Sequence, residues 1–256
     1  MMKKLLLVAA LFYVQSSAAA TLHLYKNGDQ EAEGYVASPK LLKGSVPGVL
    51  VVHDWMGPSE FTKKKVDEIA ALGYVAFAAD IYGKGSHPKD GKEAGALAGK
   101  YKAGDRAELR ARVLAAYNEL KNTKGVDPKK IVVIGYCFGG TTALELARAG
   151  TELAGVVSFH GSLSNPNPAS AKNIKGRALI LHGALDPHVP ADEVAAFQKE
   201  MNDAGVDYQL IAYSGAVHAF AIPTANDFKA GAAYNAVADR RSWNEFKNFM
   251  GEVAKQ

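Results

Sequence analysis

The only cysteine of the chain, Cys137, lies in the stretch "IVVIGYCFGGTTALELA", where an apolar run changes to a helical pattern. A free cysteine is often only a small buried apolar side chain, so the residue type alone does not indicate chemistry. Here glycines stand two positions before and two positions after it. This is the nucleophile-elbow pattern, a strand-to-helix turn that exposes a nucleophile, with cysteine in place of serine. It predicts Cys137 as nucleophile and the amide of Phe138, at a helix N-terminus, as an oxyanion donor.

A thiol nucleophile needs a base and an acid that orients the base, in the chain order nucleophile, acid, histidine. Asp186 and His218 each follow a strand-like apolar run, at the sheet edge where open α/β sheets place their sites. Asp186 also fits an ordinary turn before proline, and His218 alone fits a surface histidine. Asp192 is a rival acid, although an acid is expected there for the dipole of the following helix. The joint pattern favours Cys137, Asp186 and His218 as catalytic residues.

The amino-terminal residues 1–20 have the features of a secretory signal peptide: two lysines, an apolar stretch of about ten residues and a run of alanines. The apolar stretch is too short to span a bilayer, which needs roughly 20 residues. We therefore expect an exported protein, periplasmic or secreted, whose mature chain begins near Thr21 and forms one domain over residues 21–256. A single cysteine cannot form an internal disulfide, so its presence in an exported chain needs a reason.

Composition excludes several partners. The chain has 30 basic and 26 acidic residues, and Lys3 and Lys4 belong to the predicted signal peptide, which leaves 28 basic residues. This near balance predicts no nucleic-acid partner and no stable membrane association. Histidines and carboxylates show no HExxH or other short-spaced cluster, so the sequence predicts neither a metal site nor a cofactor.

Short apolar runs alternate with amphipathic segments along the chain, which predicts βαβ units, a mostly parallel twisted sheet and helices on both of its faces. The opening segment predicts a hairpin with its turn at Asn27–Gly28, and thus an antiparallel edge. Residues 83–104 fit either a loop or a weakly specified helix near the mouth of the site, where a lid is conceivable. The predicted strands cover residues 48–53, 74–79, 130–136, 153–160, 177–183 and 208–214.

Several motifs together resemble the dienelactone hydrolases, the cysteine members of the α/β-hydrolase fold. The resemblance covers nearly the whole mature chain and is carried by "HDWMG" (53–57), "ADIYGKG" (79–85), "GYCFGG" (135–140), "HGALDP" (182–187), "GAVHAF" (215–220) and "AYNAVADRRSW" (233–243). It implies the α/β-hydrolase fold and hydrolysis of ester or lactone bonds without a cofactor.

The resemblance also implies roles for single residues. Asp54 takes the place of the acid that holds the resting thiol protonated, although the archetype has the longer glutamate and a turn or N-cap role is the alternative. The amide of Trp55 would be the second oxyanion donor, and its indole would line the acyl pocket. Two arginines that hold the substrate carboxylate in archetypal members correspond to Lys84 and Ile222, which argues against dienelactone itself as substrate.

The sequence therefore predicts a hydrolase of small-molecule esters or lactones that works through a thioester acyl-enzyme. Two hypotheses of another class stay open. One is a non-catalytic binding protein on the same fold, suggested by the changed carboxylate clamp. The other is a redox-responsive thiol, suggested by a lone exported cysteine at the start of a helix.

Overall fold

Parallel strands form most of one eight-stranded sheet in this computed structural model, which describes residues 19–255. In chain order these strands are β1 (Ala19–Asn27), β2 (Gln30–Ser38), β3 (Val46–Val52), β4 (Val75–Ala79), β5 (Val126–Tyr136), β6 (Gly155–Phe159), β7 (Arg177–Gly183) and β8 (Tyr208–Tyr213). Their order across the sheet is β1-β2-β4-β3-β5-β6-β7-β8. Strands β3 to β8 are parallel to one another, and β2 is antiparallel to both β1 and β4.

Helices cover both faces of the sheet. The α-helices of the described residues are α1 (Glu60–Ala71), α2 (Gly91–Lys102), α3 (Ala107–Asn122), α4 (Phe138–Arg148), α5 (Ala191–Ala204) and α6 (Ala236–Lys255). Alternation along β3 sends Leu50 and Val52 into the apolar core on one face, and Val49 and Val51 into the core on the other. Apolar residues of α2 to α5 complete the first core, and those of α1 and α6 the second. The predicted α/β-hydrolase architecture is confirmed.

The amino-terminal hairpin forms the antiparallel edge that the sequence predicts. Asn27 pairs with Gln30, so the connection between β1 and β2 is the dipeptide Gly28–Asp29, one residue later than predicted. Gly28 has a φ of +63°, a conformation that glycine adopts without the penalty of a side chain.

Residues 83–104 are helical over α2, and the residues before that helix form a loop. The Asp90 side chain caps the helix by accepting a hydrogen bond from the Glu93 amide at 2.9 Å. Its residues Ala94, Ala98 and Tyr101 are buried against the rest of the protein. The helical alternative for this segment is therefore correct over residues 91–102.

Residues 1–18 of the predicted signal peptide lie outside the described residues. Its last two residues, Ala19 and Ala20, belong to β1. No helix within residues 19–255 combines the length and the apolar character that a membrane crossing requires.

Candidate active site

The Cys137 side chain projects from a strained turn between β5 and α4. Its φ of +55° and ψ of −115° lie outside the regions that side chains with a Cβ usually occupy. The Cys137 amide donates a hydrogen bond to the Phe159 carbonyl of the neighbouring strand at 3.0 Å, which helps to hold this conformation. Strain of this kind is typical of nucleophile elbows and other functional positions.

Two glycines make the elbow sterically feasible. A Cβ on Gly135 would lie 2.0 Å from the Gly139 carbonyl oxygen, and a Cβ on Gly139 would lie 2.3 Å from the Val52 carbonyl oxygen. The glycines therefore allow α4 to start directly against the ends of β3 and β5. The reason that the sequence pattern gave for these two positions is confirmed by the geometry.

Cys137, His218 and Asp186 are joined by hydrogen bonds. His218 Nε2 lies 3.0 Å from Cys137 Sγ, and His218 Nδ1 lies 2.8 Å from Asp186 Oδ2. Asp186 Oδ1 accepts a further hydrogen bond from the His188 amide at 2.8 Å, so both carboxylate oxygens of this buried residue are occupied. The arrangement can transfer a proton between a sulfur nucleophile and an imidazole that a carboxylate orients.

The charges around His218 favour its protonated form. Burial opposes a charge on the ring, but the electrostatic attraction to Cys137 and the hydrogen bonds with Asp186 and Cys137 outweigh burial and raise the pKa of His218 to about 10. The imidazole therefore keeps its proton at neutral pH. A protonated imidazole in this place can serve as the acid for a leaving group.

Backbone pairing holds the loop that carries His218. The His218 amide donates to the Gly231 carbonyl and its carbonyl accepts from the Ala233 amide, each at 3.0 Å. The short strands β9 (Asn226–Asp227) and β10 (Ala232–Ala233) form a small hairpin beside it. The position of the imidazole thus depends on residues that follow it in the chain.

Two backbone amides are free to bind an oxyanion. Within residues 19–255 neither the Phe138 amide nor the Trp55 amide donates a hydrogen bond. Phe138 begins α4, so its N–H is one of the helix-terminal donors that have no partner inside the helix. The chain just before Trp55 lies against α4, since a Cβ on Gly139 would be 2.5 Å from the His53 carbonyl oxygen. Both amides therefore lie at the same edge of the sheet, near Cys137.

Asp54 holds its own loop. Its Oδ1 accepts a hydrogen bond from the Met56 amide at 2.8 Å, an Asx turn, and burial raises the pKa of its carboxyl. Within the described residues the Cys137 thiol is hydrogen-bonded to His218 and not to Asp54. The effect of Asp54 on the thiol stays a prediction, and the turn role that was its alternative is present.

The indole of Trp55 packs on α2. Its ring lies 3.5 Å from the Cβ position of Gly91 and 3.8 Å from that of Gly95. The side chain is 42% exposed, so an apolar surface remains open beside the two free amides. The part of the 83–104 segment that is helical therefore does lie near the site.

Lys84 and Ile222 are already engaged within the protein. Lys84 Nζ forms an ion pair with the Glu31 carboxylate at 3.0 Å. Ile222 is buried in the apolar core on the α6 side of the sheet, with 9% of its surface exposed. Their role in substrate binding stays a prediction.

Sequence reasoning missed His160. This buried residue follows β6, has a φ of +42°, and its ring centroid lies 5.3 Å from that of His218. Burial lowers its pKa well below the ordinary value, so it lies beside the protonated His218 as a neutral ring. The predicted strand at 153–160 included His160, whereas β6 ends at Phe159 and leaves His160 as the first residue past the strand.

Side chains suited to a metal do not converge in the described part of the chain: no group of three or more His, Cys, Asp or Glu residues has an arrangement that would hold an ion.

Comparison with known proteins agrees with this geometry. Residues 32–254 match the model of the dienelactone hydrolase family. A protein of Aquifex aeolicus, provisionally named a carboxymethylenebutenolidase, is 34% identical over 199 residues, which cover 76% of this chain and 84% of that protein.

Two solved structures share the architecture. The structure named m3DLH is 35% identical with a TM-score of 0.89, and the match covers 93% of this chain and 100% of that one. A dienelactone hydrolase-like promiscuous phosphotriesterase from metagenomic libraries is 34% identical with a TM-score of 0.89, over 93% and 99% of the two chains. The chain therefore belongs to the dienelactone hydrolase family, and it is a hydrolase that acts on ester or lactone bonds.

Proposed function

We propose that this hydrolase uses Cys137 as its nucleophile and forms a thioester acyl-enzyme. The observation that carries the proposal is the hydrogen-bonded series from Cys137 Sγ to His218 Nε2 at 3.0 Å and from His218 Nδ1 to Asp186 Oδ2 at 2.8 Å. The sulfur attacks the carbonyl carbon, and the amides of Phe138 and Trp55 bind the resulting oxyanion.

Proton transfer through His218 completes both halves of the reaction. Collapse of the tetrahedral intermediate breaks the bond to the alcohol oxygen, which takes the proton of the imidazolium. The neutral imidazole then removes a proton from water, whose oxygen attacks the thioester carbon and releases the carboxylic acid and the thiolate. The raised pKa of His218 supports the first transfer, because the ring holds its proton until the leaving group needs it.

The substrate is a neutral ester or lactone with an apolar acyl group. Lys84 is paired with Glu31, and Ile222 carries no charge, so neither offers the bidentate cation that recognises a carboxylate. The exposed indole of Trp55 offers apolar surface instead. A panel of aryl esters, lactones and thioesters tests this class. An aryl phosphotriester belongs in the panel because a structural neighbour is named as a promiscuous phosphotriesterase.

Replacement of Cys137 by alanine tests the nucleophile. Cys137→Ala should abolish turnover of aryl esters and leave the fold intact, as checked by circular dichroism. Mass spectrometry of wild-type protein quenched in acid during turnover should show one added acyl group, located on Cys137 by peptide mapping. Turnover by Cys137→Ala at the wild-type rate would reject the proposal. A ligand that binds but is never consumed would favour the non-catalytic alternative.

We also propose export through the amino-terminal segment. Its support is the charged, apolar and small-residue order of residues 1–20. Expression of the full chain in a bacterium, followed by osmotic shock and amino-terminal sequencing, should give a periplasmic protein that begins near Thr21. Retention of an uncleaved chain in the cytoplasm would contradict this.

A further inference from the structure

His53 is a buried residue that no step of the proposed mechanism uses. It directly follows β3, is 1% exposed, and its ring packs between Tyr82 at a centroid distance of 4.8 Å and Phe138 at 6.0 Å. Phe138 carries one of the two free amides. His53 is therefore in contact with one half of the oxyanion site by packing.

Hydrogen bonds connect the His53 ring to the chain segment that carries the Trp55 amide, the second free amide. His53 Nε2 accepts from the Ile81 amide at 3.1 Å, which leaves the ring proton on Nδ1. Nδ1–H then donates to the Asp54 carbonyl oxygen at 2.6 Å. Burial lowers the pKa of His53 to about 4, so this single neutral form is maintained at neutral pH.

The Asp54 carbonyl and the Trp55 amide belong to the same peptide unit. In a planar trans peptide the C=O and N–H bonds point in opposite directions, so a group that fixes one also fixes the other. The carbonyl points inward to His53 and also accepts from the Gly57 amide at 3.3 Å, and the N–H is the donor that remains free. The next carbonyl, that of Trp55, accepts from the Tyr82 hydroxyl at 2.9 Å.

We propose that His53 and Tyr82 are positioning residues that orient the Trp55 amide toward the oxyanion. His53 sets the plane of the Asp54–Trp55 peptide, and Tyr82 holds the following peptide. The inference rests on the proposed function, because it assumes an oxyanion bound by the amides of Phe138 and Trp55.

Two variants of His53 separate its two hydrogen bonds. An asparagine amide lies near the position of Nδ1 and can still donate to the Asp54 carbonyl, whereas a glutamine amide lies near the position of Nε2 and can satisfy only the Ile81 amide. His53→Gln should lower kcat for an aryl ester by about 100-fold with little change in KM, as expected for a misplaced oxyanion donor. His53→Asn should keep a kcat about ten times that of His53→Gln or higher.

Three further measurements distinguish orientation of the amide from general damage. The rate at which iodoacetamide alkylates Cys137, which needs no oxyanion site, should be the same in wild type and His53→Gln. The inhibition constant of an aryl trifluoromethyl ketone, whose adduct carries an oxyanion, should rise with the loss of kcat. Urea unfolding should show both His53 variants folded.

Tyr82 provides an independent test through a smaller change. Tyr82→Phe removes one hydroxyl and should lower kcat by about tenfold, again without a parallel change in alkylation. Tyr101→Phe is the matched control, since Tyr101 stacks on Tyr82 at 5.8 Å and its hydroxyl makes no hydrogen bond to the described residues. It should have the wild-type kcat.

Equal kcat values in His53→Gln and His53→Asn, or a wild-type kcat in Tyr82→Phe, would overturn the inference. So would a loss of alkylation rate in proportion to kcat. Failure of the proposed function gives a different result, because Cys137→Ala would then retain turnover.

Discussion

The surroundings of His218 raise its pKa and so favour the protonated imidazole. Burial alone would keep this ring neutral, but its attraction to Cys137 and its hydrogen bonds with Asp186 and Cys137 raise its pKa to about 10. At the scale of single residues, the imidazole therefore holds its proton more firmly than a free histidine does.

Asp186→Asn tests the source of this effect. Removing the carboxylate charge lowers the pKa of His218, so the alkaline limb of kcat/KM, expected near pH 10 in the wild type, should move to lower pH. Loss of the orienting acceptor should also lower kcat by about 10³–10⁴-fold. The measurement is a pH profile of alkyl ester hydrolysis.

Asp192→Asn is the matched control, because this exposed acid at the start of α5 is the rival that the sequence offered. Its kcat and alkaline limb should equal those of the wild type. An unmoved limb in Asp186→Asn, or a moved one in Asp192→Asn, would contradict the assignment.

Among the elements, the turn from β5 into α4 positions the Cys137 side chain and is tightly packed. A side chain at Gly135 meets backbone atoms of Gly139, which cannot move without displacing the helix that presents Cys137. Gly135→Ala should therefore cost on the order of 1–3 kcal/mol of unfolding free energy by overpacking and abolish activity. Urea unfolding and an ester assay measure both effects.

Gly99→Ala in α2 is the control for this substitution. A Cβ at Gly99 has no atom within 4 Å, so the change should stabilise the protein by roughly 0.5–1 kcal/mol through helix propensity. Equal effects of the two substitutions would show that the elbow tolerates a side chain.

The strands could be predicted from the sequence where a run of apolar residues within the strand itself determines its bounds. The predicted strand at 177–183 is correct to the residue, but β5 begins at Val126 and not at residue 130. Its first residues include a proline and two lysines and read as a loop. Val126 and Asp127 pair with Val46 and Pro47 of β3 before a register shift at Pro47/Gly48, and this pairing is specified only by the partner strand.

The candidate site also has one part that local sequence signals predict and another part that they do not. Cys137, Asp186 and His218 could be predicted to lie together because each follows a strand, which is a local signal. The contacts of His53 with Ile81 and Asp54, and the edge-to-face contact of His160 with His218, depend on which strands become neighbours. No spacing in the sequence specifies them.

At the scale of the whole molecule, a buried network of ion pairs connects α3, α4 and α5. Glu145 of α4 binds Arg106 and Arg110, at the start of α3, each at 3.0 Å. Arg148 binds Glu200 of α5 at 2.9 Å. The side chains of Arg148 and Glu145 are only 1% and 2% exposed.

Glu145→Gln tests the contribution of this network. The substitution leaves buried guanidinium groups without their carboxylate and should lower the free energy of unfolding by about 3–5 kcal/mol. Glu60→Gln is the control, because Glu60 is 89% exposed in its pair with Lys63 and should change stability by less than about 1 kcal/mol. Both values come from urea unfolding at pH 7, and a similar small effect for the two variants would contradict the expectation.

The sequence separation of Cys137 and His218 affects when the site forms during folding. Cys137 and His218 are 81 residues apart in the sequence, and residues still further along fix the backbone of His218. Closing a chain segment of this length costs entropy before the contact stabilises the fold. Because His218 follows β8, we expect the sulfur to reach the imidazole during refolding only after β8 has joined the sheet. Short pulses of iodoacetamide at successive times of refolding would measure the alkylation rate of Cys137. This rate should change when the thiol reaches His218, so it reports when the fold is complete.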